Sequence, residues 1–177
     1  MRVFVVGTGR CGTSTFYHAC RHIHNYEAYH EPNSGQVDSF ETEDQVINVS
    51  SQFVVRIPEL LKKYPESKWI HLIRNRDQCV ESLAKCCPVE MDGYVRQWCQ
   101  IFQCNLTRAS QFYYDSINSM IELMLRNQSC LTMNLPIRRP AWMTFWSFVG
   151  AQGDFESSLR EWESCYNSRD HRGVDNK

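Results

Sequence analysis

The sequence predicts an α/β fold of three layers, a parallel sheet flanked by helices, in one domain spanning residues 1–177. Three observations carry that expectation. Apolar runs such as RVFVV at residues 2–6 lack the polar alternation of a half-exposed strand, so they read as strands buried on both faces. Segments between such runs repeat apolar residues with helical spacing, as Phe16, Ala19, Cys20 and Ile23 do. Strand and helix alternate along the chain, and that alternation builds parallel sheets with crossover helices.

In chain order, residues 2–6 are the first strand and residues 13–25 the first helix. EAYHEP is a short second strand stopped by Pro32, and residues 33–44 are a polar surface loop. QFVVRIP reads as the next strand, ELLKKYP as one or two helical turns, and KWIHLIRN as another apolar strand. RDQCVESLAKCC has helical spacing at Cys79, Val80, Leu83 and Ala84, and Pro88 stops it. A long helical region covers residues 93–126, with a break expected near Asp115. CLTMNL is a late strand ended by Pro136. PAWMTFWSFVG and DFESSLREWESCYN are two closing helices; Pro140 and Asp154 suit their starts, and Gly150 ends the first.

Composition excludes several function classes. A formal net charge of −1 argues against a general nucleic-acid binder, which needs a basic face. Charged residues interrupt every apolar run short of membrane-spanning length, and the opening run turns into glycines too early for a secretory leader. A cytoplasmic protein is expected, with its nine cysteines as reduced thiols. The close cysteine spacings are Cys86 beside Cys87, and Cys99 with Cys104, neither of which is a zinc pattern. Any anion site must therefore be a local construction.

Such a construction follows the first strand. Gly7-Thr8-Gly9-Arg10-Cys11-Gly12-Thr13-Ser14 matches the phosphate-loop pattern G-x-x-x-x-G-K-[ST], except that Thr13 stands where lysine belongs. Glycines let successive backbone N–H groups turn inward, and the following helix aims its positive dipole end at the same point. Thr13, Ser14 and Thr15 add hydroxyl donors. A nucleoside-triphosphate kinase would want the lysine on the phosphates, so its absence weakens that reading. Arg10 supplies a cation from inside the loop, and its fork suits a multi-oxygen anion. The whole reads as a phosphate-loop nucleotide-binding type of α/β fold.

VFVVGTGRCGTST resembles the 5′-phosphosulfate loop of sulfotransferases that use 3′-phosphoadenosine 5′-phosphosulfate (PAPS), with Arg10 at the family's basic position. The resemblance implies that Gly7, Thr8, Gly9, Arg10, Cys11, Gly12, Thr13, Ser14 and Thr15 hold the donor. The family's second motif is an arginine followed eight residues later by a serine, both on the 3′-phosphate. WIHLIRNRDQCVESLAK is similar to it, with Arg74 at the strand end and Ser82 in the next helix. Ser82 lies about two turns into that helix, on a side that can face back to the sheet.

For the base, the resemblance implies Glu31, where carbohydrate-type members carry a glutamate, with His30 beside it as second choice. Glu31 could equally be a surface acid before a proline turn. Arg10 and the loop would stabilise charge on the leaving phosphate, and no metal is expected. His18 and His22 have metal-ligand spacing but lack a third ligand. His71, inside a strand, reads as structural, and Trp142, Trp146 and Trp162 as packing residues. Arg138, Arg139 and the basic tail could close over a nucleotide, or simply be solvated.

The expectation is sulfuryl transfer from PAPS to a hydroxyl or amine of a small-molecule or carbohydrate acceptor, without nucleic-acid or membrane partners. The chain is short for that family. A non-catalytic PAPS- or nucleotide-binding module, or a degenerate phosphate-loop nucleotide kinase, are the alternatives. The oligomeric state is not legible.

Overall fold

β1 (Arg2–Gly7) is the centre of a five-stranded sheet, because every residue from Val3 to Gly7 is buried and both its edges are paired. The computed structural model describes residues 1–32, 45–86 and 94–164. The sheet is completed by β2 (Glu27–His30), β3 (Val46–Val49), β4 (Lys68–Ile73) and β5 (Cys130–Asn134), in the order β2-β3-β1-β4-β5. Every pairing is parallel, with Val5 opposite Val49 on one side and Ile70 on the other.

The helices are α1 (Thr13–Cys20), α2 (Ile57–Lys63), α3 (Arg76–Cys86), α4 (Tyr94–Phe102), α5 (Leu106–Leu125), α6 (Arg139–Val149) and α7 (Phe155–Arg160). The strand period of two divides them between the two faces. Val3, Val5, Ile47, Val49, Ile70 and Leu72 pack with Phe16, Ala19 and Cys20 of α1 and Trp142, Phe145 and Val149 of α6. Phe4, Val6 and Trp69 point the other way, onto Ile57 and Leu60 of α2 and Ile121 and Leu125 of α5. A third cluster joins Cys79, Val80 and Leu83 of α3 to Val95 of α4 and Ala109, Tyr113 and Tyr114 of α5. The expected three-layer architecture is the observed one.

Three element assignments differ from expectation. The strand beside β1 is VINV at residues 46–49, whereas QFVVRIP forms a 3-10 turn, Ser51–Arg56, and the start of α2. Ser50 starts that turn by accepting from the Gln52 amide at 3.1 Å, and Pro58 lies in the first turn of α2, where a missing N–H costs nothing. The long helical region breaks at Gln103–Asn105 and not at Asp115. Gln103 takes a left-handed φ of 47°, and Asn105 caps α5 by accepting from the Arg108 amide at 2.9 Å. Asp115 stays helical and holds Arg76 through two bonds of 2.8 and 2.7 Å. α1 is also shorter than expected: after Cys20 the chain leaves the helix, and Ile23 bridges to Gly153.

Crossovers leave β1 toward β2 on one side and reach β4 on the other. The carboxyl ends of β1 and β4 thus flank the point where strand order reverses, which is where open α/β sheets place ligands.

Candidate functional site

The loop after β1 needs its first glycine for closeness and its third for conformation. A Cβ on Gly7 would stand 2.6 Å from both the Leu72 carbonyl oxygen and Cys11 Sγ, and Gly12 turns into α1 with φ of 88°. Arg10 is also left-handed, at φ of 67°, a conformation that a non-glycine residue holds only when its surroundings impose it. Those surroundings are the two residues of the second motif. Arg10 Nε donates to Ser82 Oγ at 3.2 Å, and Arg74 Nη1 donates to the Arg10 carbonyl at 3.2 Å. Arg10, Arg74 and Ser82, from three segments, therefore meet beside the N-terminus of α1. Among the described residues no side chain caps that terminus, and first-turn amides have no partners inside their own helix.

Sequence reasoning missed the residues that hold this cluster from behind. Cys79 Sγ lies 3.5 Å from Thr8 Oγ1 and 3.5 Å from the Gly9 carbonyl, so α3 is fastened to the loop. The Gly9 amide donates to Tyr113 Oη at 3.3 Å, and Tyr114 Oη donates to the Arg74 carbonyl at 2.6 Å, which fastens α5. Burial pushes the thiols of Cys79 and Cys11 up, so both act as small apolar groups. Nothing in the spacing of Tyr113 or Tyr114 separates them from ordinary core aromatics.

On the other side of the loop, β2 ends in His30 and Glu31. His30 Nε2 lies 3.5 Å from Thr13 Oγ1, and its ring stacks on Tyr17 with centroids 5.5 Å apart. Burial pushes His30 below its ordinary value, outweighing the opposite effect of Glu31, so the ring is neutral near pH 7. Glu31 is occupied. Its Oε2 accepts from Ser50 Oγ at 2.5 Å, and its Oε1 accepts from both the amide and the hydroxyl of Ser51 at 3.2 Å. The carboxylate thereby joins the ends of β2 and β3.

The remaining sequence candidates lie elsewhere. His22 Nε2 pairs with Glu161 Oε1 at 2.9 Å. His71 is buried, with Nε2 2.9 Å from Asn118 Oδ1. Arg139 makes a fork with Glu156 at 2.7 and 2.5 Å, and Arg138 is exposed at the start of α6. Trp142 and Trp162 pack around Phe16, and Trp146 packs on Phe155. Residues 33–44, Pro88 and the basic tail lie outside the described residues. No helix among the described residues is long and apolar enough to cross a membrane.

No family model matches the chain, and neither does any curated protein. Solved structures do. The chain superposes on a sulfotransferase from Alicyclobacillus acidocaldarius with a TM-score of 0.53 at 14% identity, covering 91% of this chain and 93% of that one. The two chains share a fold. The match spans nearly all of both chains.

Proposed function

We propose that this chain is a sulfotransferase that moves a sulfuryl group from PAPS to a hydroxyl or amine acceptor. The observation that carries the reading is the meeting of Arg10, Arg74 and Ser82 around the turn between β1 and α1. In that reading Gly7 to Thr15 cradle the 5′-phosphosulfate with backbone amides and hydroxyls, and Arg74 with Ser82 grips the 3′-phosphate.

The acceptor oxygen or nitrogen attacks sulfur, a base takes its proton, and the bond from sulfur to the bridging phosphate oxygen breaks. The electron pair stays on that oxygen, where the loop amides and the Arg10 guanidinium stabilise the growing charge. His30 is the base we assign, because its ring is neutral and stands beside Thr13 in the first turn of α1. Glu31, with both oxygens already accepting hydrogen bonds, acts as a positioning residue that holds the β2 end.

Calorimetry with 3′-phosphoadenosine 5′-phosphate, the nucleotide product, tests the donor site. Arg10→Ala and Arg74→Ala should each weaken binding roughly 10- to 100-fold, the loss expected for a charge-assisted hydrogen bond. Equal affinities in all three proteins reject the assigned anchors, and stronger stabilisation by ATP with magnesium supports a kinase instead. With PAPS and an acceptor panel, His30→Gln should lower turnover roughly 100- to 10,000-fold. A collapse with Glu31→Gln alone, at unchanged donor affinity, transfers the base role to Glu31. Donor binding without any sulfated product identifies a non-catalytic module.

A further inference from the structure

α4 ends in a way that sets two thiols against each other. Gln103 is left-handed at φ of 47°, and the Cys104 amide donates to the Cys99 carbonyl at 3.2 Å. A bond from the second residue past the helix back to the third residue before its end is the Schellman closure, and a contact between the side chains at those two positions frequently accompanies it. Here both are cysteine. Each is half-buried and uncross-linked, and both pack against the cluster formed by α3, α4 and α5. The backbone bond brings their main chains side by side, as the short Cα separation of a disulfide, roughly 4–7 Å, requires. By contrast Cys11, Cys20 and Cys79 are buried, out of reach of a reagent in solvent.

We propose that Cys99 and Cys104 form a thiol–disulfide exchange site that small disulfides such as oxidised glutathione convert to an intramolecular cystine. The Cys104 thiolate attacks the glutathione disulfide, one glutathione thiolate leaves, and a mixed disulfide remains on Cys104. The Cys99 thiolate then attacks the Cys104 sulfur and displaces the second glutathione thiolate. Two protein thiols lose two protons and two electrons, and the glutathione disulfide gains the electrons. Burial, reinforced by the neighbouring Cys104, pushes the Cys99 thiol up, so the closing step accelerates as pH rises.

The corner so fastened is not remote from the rest of the molecule. Trp98, next to Cys99, meets the Tyr113 ring edge-on at 6.4 Å, and Tyr113 accepts the Gly9 amide. Asn105, next to Cys104, caps α5. Closing the cystine therefore fixes the junction of α4 with the helix that backs the anion loop.

The chain itself supplies the assay. Trypsin cuts after Arg96 and Arg108, and peptide 97–108 contains Cys99 and Cys104 but no other cysteine and no internal lysine or arginine. The full-length protein is equilibrated in glutathione buffers, quenched by alkylation and digested. The expected product is peptide 97–108 short of two hydrogens and unalkylated, while Cys99→Ser and Cys104→Ser each stop at a mixed disulfide on the remaining thiol. Unfolding the chain in guanidinium before oxidation should lower the cystine yield roughly tenfold, because the effective concentration of one thiol at the other collapses. A peptide that stays fully alkylated, carries two glutathiones or links to another cysteine overturns the proposal, as do equal yields from folded and unfolded chain.

Discussion

Asn48 stands in the middle of β3, fully buried, and neither its amide nitrogen nor its oxygen has a partner among the described residues. A buried polar group without a partner costs about 1–3 kcal/mol, and an apolar replacement of the same shape removes that cost. Asn48→Leu should raise stability by about 1–2 kcal/mol, read as a higher urea midpoint at unchanged slope. Glu31 is the opposite case. Its oxygens accept from three donors of Ser50 and Ser51, and Glu31→Gln turns one acceptor into a donor facing donors. Stability should fall by about 1–3 kcal/mol, measured by the same titration. A rise would show that the carboxylate is not the tie between β2 and β3.

Helices and strands were legible in the sequence where pattern and length agreed. The apolar runs of β1 and β4 and the Pro140, Gly150 and Asp154 signals around α6 and α7 fall where the structure has those elements. VINV escaped notice because it is only four residues long and carries the polar Asn48 at its centre, so it shows neither alternation nor a continuous apolar run. QFVVRIP misleads for the converse reason: Phe53 and Val54 are buried while Val55 is 62% exposed, a one-sided burial that an apolar run cannot reveal. The α4–α5 break was invisible because no glycine or proline marks it. Asn105 carries it, and Asn105→Ala should cost about 1 kcal/mol and lower the melting temperature by a few degrees. At the proposed site, the family resemblance singled out Arg10, Arg74 and Ser82, and the structure brings Arg74 and Ser82 each within hydrogen-bond reach of Arg10. Tyr113, Tyr114 and Cys79 reach the loop from helices whose approach only the tertiary fold specifies.

For the molecule as a whole, three histidines govern acid sensitivity. Burial pushes His71, His30 and His18 below the ordinary histidine value of 6.5. Asn118 Nδ2 donates to the Tyr114 carbonyl at 2.9 Å, so its Oδ1 faces His71 and the neutral ring donates from Nε2. A folded-state value below the unfolded one means that the unfolded chain binds more protons. The stability that these histidines contribute is therefore present above pH 6.5 and is lost as pH falls through that value toward the lower folded-state values. His71→Gln should flatten part of this decline in denaturation curves collected between pH 7.5 and 5. An unchanged pH profile would assign the acid sensitivity to other groups.

Among the described residues the sheet contains no hairpin: β2 meets β3, β3 meets β1, β1 meets β4 and β4 meets β5 only in parallel. Arg2 finds Val46 and Val3 finds Lys68, so neither edge of the first strand can zip up from an adjacent turn. Long stretches of chain must close before β1 gains any ladder, and such non-local closure slows collapse to the native state. Refolding in stopped flow should accordingly take milliseconds to seconds. The turn that carries Arg10 completes its hydrogen bonds only when Arg74 and Ser82 have been carried to it.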